Sequence, residues 1–361
     1  MKKIALVLTG GTIGSMVSDR IIDIGEQSVY QLVDAYEREY KEKEIFEVFS
    51  PFQALSENFT KKEWQMLYDF MYDFPAEDYA GIVIAHGTDT LAYTASLIGM
   101  LFGHLEIPIV FIASNYPVGQ PWSNGLHNLY GAVSWIRQQA ANGVYVVYEN
   151  AKEQLEVHLA TRLLPADNYE DQYGTFGGSC FGIMKYEEEV VLRKEDGTFL
   201  APKKPVTFVA NEGKHNPAIL DLGKQKEPFL KDKICFEEDV LLITPYPGLN
   251  YSHFYSKEHP AAVYHSLYHA GTACVTQGAY SFLSFAQQCR EDGIPLYIGS
   301  IKARMKNCYA SGDAILQTGV KPLYDISTPS AYMKLILAYN QKEKKVDEVL
   351  EHVFFYENVE S

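Results

Sequence analysis

Cysteine is scarce in this chain and shows no pairing pattern. Cys180, Cys235, Cys274, Cys289 and Cys308 are widely spaced among 361 residues, with no Cys-x-x-Cys. That argues against a disulfide scaffold and a structural zinc site, and reads as reduced thiols in a cytoplasmic protein. No run approaches the roughly 18 apolar residues of a membrane span, so no membrane partner is expected. Met1-Lys2-Lys3 ahead of Ile4 to Leu8 imitates the start of a signal peptide. The apolar stretch is too short, and Thr9-Gly10-Gly11-Thr12 interrupts it before any cleavage site. Basic residues are few as well: 31 Lys and Arg against 46 Asp and Glu give a net charge of −15. Phosphate backbones select basic surfaces, so no nucleic-acid partner is expected.

Two nucleotide-binding motifs are missing. The dinucleotide fingerprint needs glycine at its first, third and sixth positions. Counted from Gly10 the third position is Thr12, and from Gly11 it is Ile13. No Gly-Lys-Ser/Thr follows, so the turn is not a P-loop. His265 and His269 have the spacing of a zinc-binding helix, but Ser266-Leu267-Tyr268 between them supplies no glutamate. That pair reads as two residues of a helix surface or core. Neither a metal nor a cofactor is expected.

What is present is a soluble α/β composition, 47% hydrophobic and 21% charged, in a chain long enough for two domains. Apolar strand candidates at Lys3–Val7, Phe46–Phe49, Gly81–Ala85, Ile107–Ile112 and Val144–Tyr148 alternate with helical segments. One helix opens on a capping box, Thr60-Lys61-Lys62-Glu63, with Trp64, Leu67, Tyr68 and Met71 on one face. The alternation predicts a larger N-terminal domain over residues 1–185, built on a parallel, doubly wound sheet. Residues 186–239 carry charge runs and prolines and read as a connector, with a hairpin turn at Asp196-Gly197. A smaller α/β domain is expected over 240–361, with strands at Val240–Ile243, Thr272–Val275 and Pro295–Ile298.

Two segments carry the chemistry: Thr9-Gly10-Gly11-Thr12-Ile13-Gly14 after the first strand, and His86-Gly87-Thr88-Asp89-Thr90 after the strand ending at Ala85. Loops at the carboxyl ends of parallel strands converge on one crevice, so Thr12, Thr88 and Asp89 are expected to meet there. Each loop alone is equally a tight turn or a helix cap. With the turn Ser56-Glu57-Asn58 between them in the chain, three unrelated caps become the weaker explanation.

Those segments, with Leu55-Ser56-Glu57-Asn58-Phe59-Thr60 and His86 to Ala95, resemble the bacterial-type L-asparaginase family, closest to its cytosolic type I branch. The resemblance implies a two-domain asparaginase-like α/β fold and a threonine-dependent amidohydrolase acting on a small-molecule amide. It implies Thr12 as nucleophile toward the side-chain amide, and Thr88 as the second catalytic threonine. Asp89 matches the carboxylate that holds the substrate ammonium, and Ser56 the hydroxyl that holds its carboxylate. Glu57 and Gly87 adjoin that subsite. A homodimer or homotetramer is implied as well. The sequence departs from the family at Arg162, aligned with a triad lysine, and at Ile21-Ile22, where a lid tyrosine is usual. Guanidinium keeps its proton at any working pH, so Arg162 cannot shuttle one. The departures leave a second reading open: a catalytically weak or inactive paralogue that binds an amino acid or related small molecule.

Overall fold

A computed structural model describes residues 2–18, 21–24, 28–41, 43–120, 122–150, 154–186, 205–213, 216, 227–254, 259–303 and 308–359. The chain divides into two compact units, one of Met1–Phe229 with Phe354–Tyr356, the other of Leu230–Val353 with Glu357–Ser361.

The first unit contains β1 (Lys3–Leu8), β2 (Ser15–Ser18), β3 (Ile21–Ile24), α1 (Ser28–Tyr40), β4 (Phe46–Phe49), α2 (Lys61–Tyr72) and β5 (Tyr79–Ala85). It continues with α3 (Leu91–Phe102), β6 (Pro108–Ile112), α4 (Gly125–Gln138), β7 (Gly143–Asn150), β8 (Gln154–Leu159), β9 (Gly182–Tyr186) and β10 (Pro205–Ala210). Eight strands form one sheet in the order β10-β9-β8-β7-β6-β5-β1-β4. Residues Ile4 to Leu8 and Gly81 to Ala85 are all buried, as continuous apolar strands covered on both faces should be. The capping box forms as expected, with Thr60 accepting from Lys62 N while its own N–H donates to Glu63 at 2.8 Å. Such a cap contributes about 1 kcal/mol to the start of α2.

The strands read from the alternation pair in parallel as expected, and the sheet continues beyond them in the antiparallel sense. Pairing is parallel from β4 through β1, β5 and β6 to β7, and antiparallel across β8, β9 and β10. Only three residues separate Asn150 from Gln154, too few for the crossover that a parallel return requires. The strand β10, placed by sequence in the connector, pairs with β9 and completes this sheet. The hairpin turn at Asp196-Gly197 lies outside the described residues.

The second unit has β11 (Val240–Ile243), β12 (Ala262–Ser266), α5 (Phe282–Glu291), β13 (Leu296–Ile301), α6 (Ala310–Leu316), β14 (Lys321–Tyr324), α7 (Thr328–Asn340) and α8 (Val346–Glu351). Its four strands are parallel in chain order, over a core that includes Ile243, Tyr251, Val263, Phe282, Phe285 and Ile298. Two expectations fail here. Thr272–Val275 is loop, tied back by a bridge between Tyr268 and Thr272, and the strand is β12 upstream of it. His265 therefore lies on a strand, wholly buried, with Nε2 3.0 Å from Tyr251 Oη, while His269 is exposed. A fully buried strand shows no alternation, so its period gave no warning.

Candidate active site

The strand order β5-β1-β4 places the loops that leave these three strands side by side. Their contact depends on glycine. Gly10 has φ +111° and pairs with Ala54, and a Cβ on it would stand 2.2 Å from the Ala54 carbonyl oxygen. Gly11 has φ +79°, and a Cβ there would stand 2.4 Å from Gly87 Cα. A Cβ on Gly87 would in turn lie 2.4 Å from Ser56 Oγ. The three turns therefore touch through Gly11, Gly87 and Ser56, at separations that only glycine permits.

Polar contacts extend this cluster. Ser56 is buried and its Oγ donates to Asp89 Oδ2 at 3.4 Å, while Thr90 Oγ1 donates to the Ser56 carbonyl at 3.0 Å. Thr12 opens a short 3-10 turn, Thr12–Gly14, directly ahead of the β2–β3 hairpin. Thr12 and Thr88 are part-exposed and Asp89 is exposed, whereas Gly10, Gly11 and Gly87 are buried. Glu57 lies in the 3-10 turn Ser56–Asn58 and is exposed.

Two buried residues support the turn after β5. His86 is fully buried, edge-on to the rings of Phe59 and Phe111, and its Nδ1 lies 2.8 Å from the Gly87 carbonyl oxygen. Desolvation lowers its pKa to about 4, so the ring is neutral near pH 7. A carbonyl only accepts, so Nδ1 carries the proton. Tyr173 is buried and its Oη donates to the Thr88 carbonyl at 2.7 Å, with burial holding its pKa well above the usual phenol value. Both main-chain groups of Tyr173 bond the Asn150 side chain at the end of β7, at 2.9 and 3.1 Å. Neither Tyr173 nor Asn150 was picked out by sequence. No spacing links them to Thr88, which lies 85 positions before Tyr173.

Arg162 ends the 3-10 turn Ala160–Arg162 that follows β8, and it is buried. Its Nε donates to the Tyr356 carbonyl at 2.6 Å, and its own carbonyl accepts from Phe176 N. The neighbouring Thr161 Oγ1 donates to the Phe355 carbonyl. The turn is thus tied to the segment Phe354–Tyr356. Among the described residues no group of three or more His, Cys, Asp or Glu side chains is placed to hold a metal ion. No helix among them is long and apolar enough to cross a membrane.

Residues 3–170 match the family model described as Asparaginase, N-terminal. Over 95% of its length the chain is 25% identical to a glutamyl-tRNA(Gln) amidotransferase subunit of Pyrococcus horikoshii, covering 74% of that protein. The corresponding amidotransferase subunit of Saccharolobus solfataricus is 25% identical over 96% of this chain and 74% of its own length. In fold the chain is similar to the thermostable L-asparaginase from Thermococcus kodakarensis. The TM-score is 0.72 at 20% identity, over 99% of this chain and 100% of that one. L-asparaginase I from Vibrio cholerae gives a TM-score of 0.70 at 21% identity, over 99% of both chains.

Proposed function

We propose that this chain is an amidohydrolase that releases ammonia from the side-chain amide of asparagine or a related small amide. The observation that carries the reading is the joining of Gly11, Ser56, Gly87 and Asp89 at the ends of three neighbouring strands, with Thr12 and Thr88 beside them. In this reading Thr12 Oγ1 attacks the amide carbonyl, ammonia leaves, and water releases the acyl group. Asp89 holds the substrate ammonium and Ser56 its carboxylate, with Glu57 and Gly87 bordering that subsite. A short zwitterion gripped at one end presents its amide at a fixed distance from Thr12. Thr88 positions the water and polarises the reacting groups. Arg162 serves as a fixed charge that anchors the turn after β8, keeps its proton and shuttles none. A cytoplasmic homo-oligomer belongs to the same proposal, its location supported by five free cysteines and by the fold likeness to a probable cytoplasmic L-asparaginase of Campylobacter jejuni.

The archaeal amidotransferase relatives favour a second reading, because their name ties them to glutamyl-tRNA(Gln) and to a multi-chain enzyme. Here the liberated nitrogen passes to a partner in a larger assembly. That name runs against the expectation that nucleic acid plays no part. Both readings require amide cleavage at the same residues. The test is ammonia release from asparagine, glutamine and other small amides by the chain alone, repeated with glutamyl-tRNA present. Release without RNA supports the first reading, and release only with RNA the second.

A further inference from the structure

The turn after β5 presents two consecutive peptide groups whose carbonyls are each held from the buried side by a different side chain. His86 Nδ1 donates to the Gly87 carbonyl at 2.8 Å, and Tyr173 Oη donates to the Thr88 carbonyl at 2.7 Å. Neither donor is free to follow the turn if it moves. The His86 ring is wedged between Phe59 and Phe111, with ring centroids 4.8 and 6.1 Å away. The Tyr173 ring sits edge-on to Tyr148 at 4.7 Å, and its backbone is pinned on both sides by Asn150.

A trans peptide is planar, with its N–H pointing opposite to its C=O. Fixing the Gly87 carbonyl inward therefore turns the Thr88 N–H outward, and fixing the Thr88 carbonyl does the same for the Asp89 N–H. Outward here is the side on which the part-exposed Thr88 and the exposed Asp89 stand. Fixed N–H donors of this kind bind developing or formal negative charge without reorganising at the moment of reaction.

We propose that Tyr173 and His86 are positioning residues, a two-point clamp that sets the Gly87–Thr88 and Thr88–Asp89 peptide planes and directs their N–H groups into the site. The effect on turnover rests on the amide-hydrolysis reading, whereas the effect on the turn itself does not. Tyr173→Phe removes the donor and keeps the ring against Tyr148. His86→Phe removes Nδ1–H and keeps an aromatic ring between Phe59 and Phe111. Tyr40→Phe is the control, since its buried hydroxyl has no hydrogen-bond partner among the described residues.

Hydrogen exchange followed by mass spectrometry on the segment spanning residues 86–91, together with kcat and KM for ammonia release, tests the clamp. Both variants are expected to exchange faster in that segment than the wild type, with β1 and β6 as protected as before. A displaced turn should lower kcat/KM by about 10- to 100-fold, mostly in kcat, because small misplacements of reacting groups are that costly. Tyr40→Phe is expected to match the wild type in both readouts. Unchanged exchange at residues 86–91 in both variants overturns the proposal. So does a loss of protection spread evenly over the sheet, which marks a general packing role. Absence of ammonia release from the wild type defeats the functional reading alone, and the exchange result still decides the clamp.

Discussion

Ser56 Oγ donates to Asp89 Oδ2 at 3.4 Å across 33 positions of sequence, although the strands they follow do not touch each other. Ser56 follows β4 and Asp89 follows β5, and β1 lies between. The bond spans β1 only because the turn that leaves β1 is glycine at both Gly10 and Gly11. The pairing brings a hydroxyl and a carboxylate side by side at the ends of these strands.

Asp89→Asn removes the negative charge and keeps the shape. A charge-assisted hydrogen bond is worth about 1.5–3 kcal/mol, so KM for the preferred amide should rise roughly 10- to 100-fold. Ser56→Ala should also raise KM. Steady-state kinetics of ammonia release measure both. An unchanged KM in Asp89→Asn would remove Asp89 from the substrate subsite.

Gly11→Ala puts a Cβ 2.4 Å from Gly87 Cα at a φ of +79°. Backbone stands against backbone there, so no side chain can yield. The expected result is a loss of about 1–3 kcal/mol from overpacking, plus the strain of a left-handed alanine. Urea denaturation measures it, and ammonia release should fall with it.

Much of this arrangement is legible in the sequence, and the rest is hidden for identifiable reasons. Continuous apolar runs mark β1, β5 and β6, and Gly10-Gly11-Thr12 together with Gly87-Thr88-Asp89 mark the turns that meet. The antiparallel strands β8 and β9 follow no crossover helix, so the alternation that reveals parallel strands does not extend to them. The strand β12 is buried throughout, and the His265/His269 spacing mimicked a helix. Tyr173 and Arg162 act through contacts 85 and 194 positions away, and local pattern holds no trace of such contacts.

Arg162→Lys tests whether that side chain is an anchor. Lysine has no Nε–H donor in the place from which Arg162 reaches the Tyr356 carbonyl. Thermal unfolding should show a lower Tm, corresponding to about 1–3 kcal/mol for a buried charged donor. Hydrolysis of asparagine per folded molecule should change far less than in Thr12→Ala. A gain in asparagine turnover with Tm unchanged would instead make residue 162 part of the proton path.

In the second unit Lys334 Nζ and Glu357 Oε1 form a 2.9 Å ion pair with both side chains buried. Lys334→Met leaves a buried carboxylate without its cation and should destabilise by about 3–5 kcal/mol in chemical denaturation. The double variant Lys334→Met, Glu357→Leu should recover part of that loss. A double variant as unstable as the sum of the two single changes would mean that the pair is not coupled.

His86, His158 and His265 are buried and held neutral, each with its pKa lowered by desolvation from 6.5 to about 4. Between those values the unfolded chain binds protons that the folded one refuses. Their contribution is therefore complete above about pH 6.5 and is lost as the pH falls toward 4. Each adds up to about 1.4 kcal/mol per pH unit to the slope in that window. Denaturation midpoints should fall from pH 7 to pH 5, while the three imidazole C2 proton signals stay unshifted. An imidazole among the three that titrates near 6.5 would contradict its burial.

The amide-cleaving role proposed for Thr12 is tested most directly by ammonia release over a panel of small amides, measured for the wild type and Thr12→Ala at matched Tm. Release from at least one amide by the wild type, abolished in Thr12→Ala, is the expected result. Release that persists in Thr12→Ala, or none from any amide with or without glutamyl-tRNA, would contradict it.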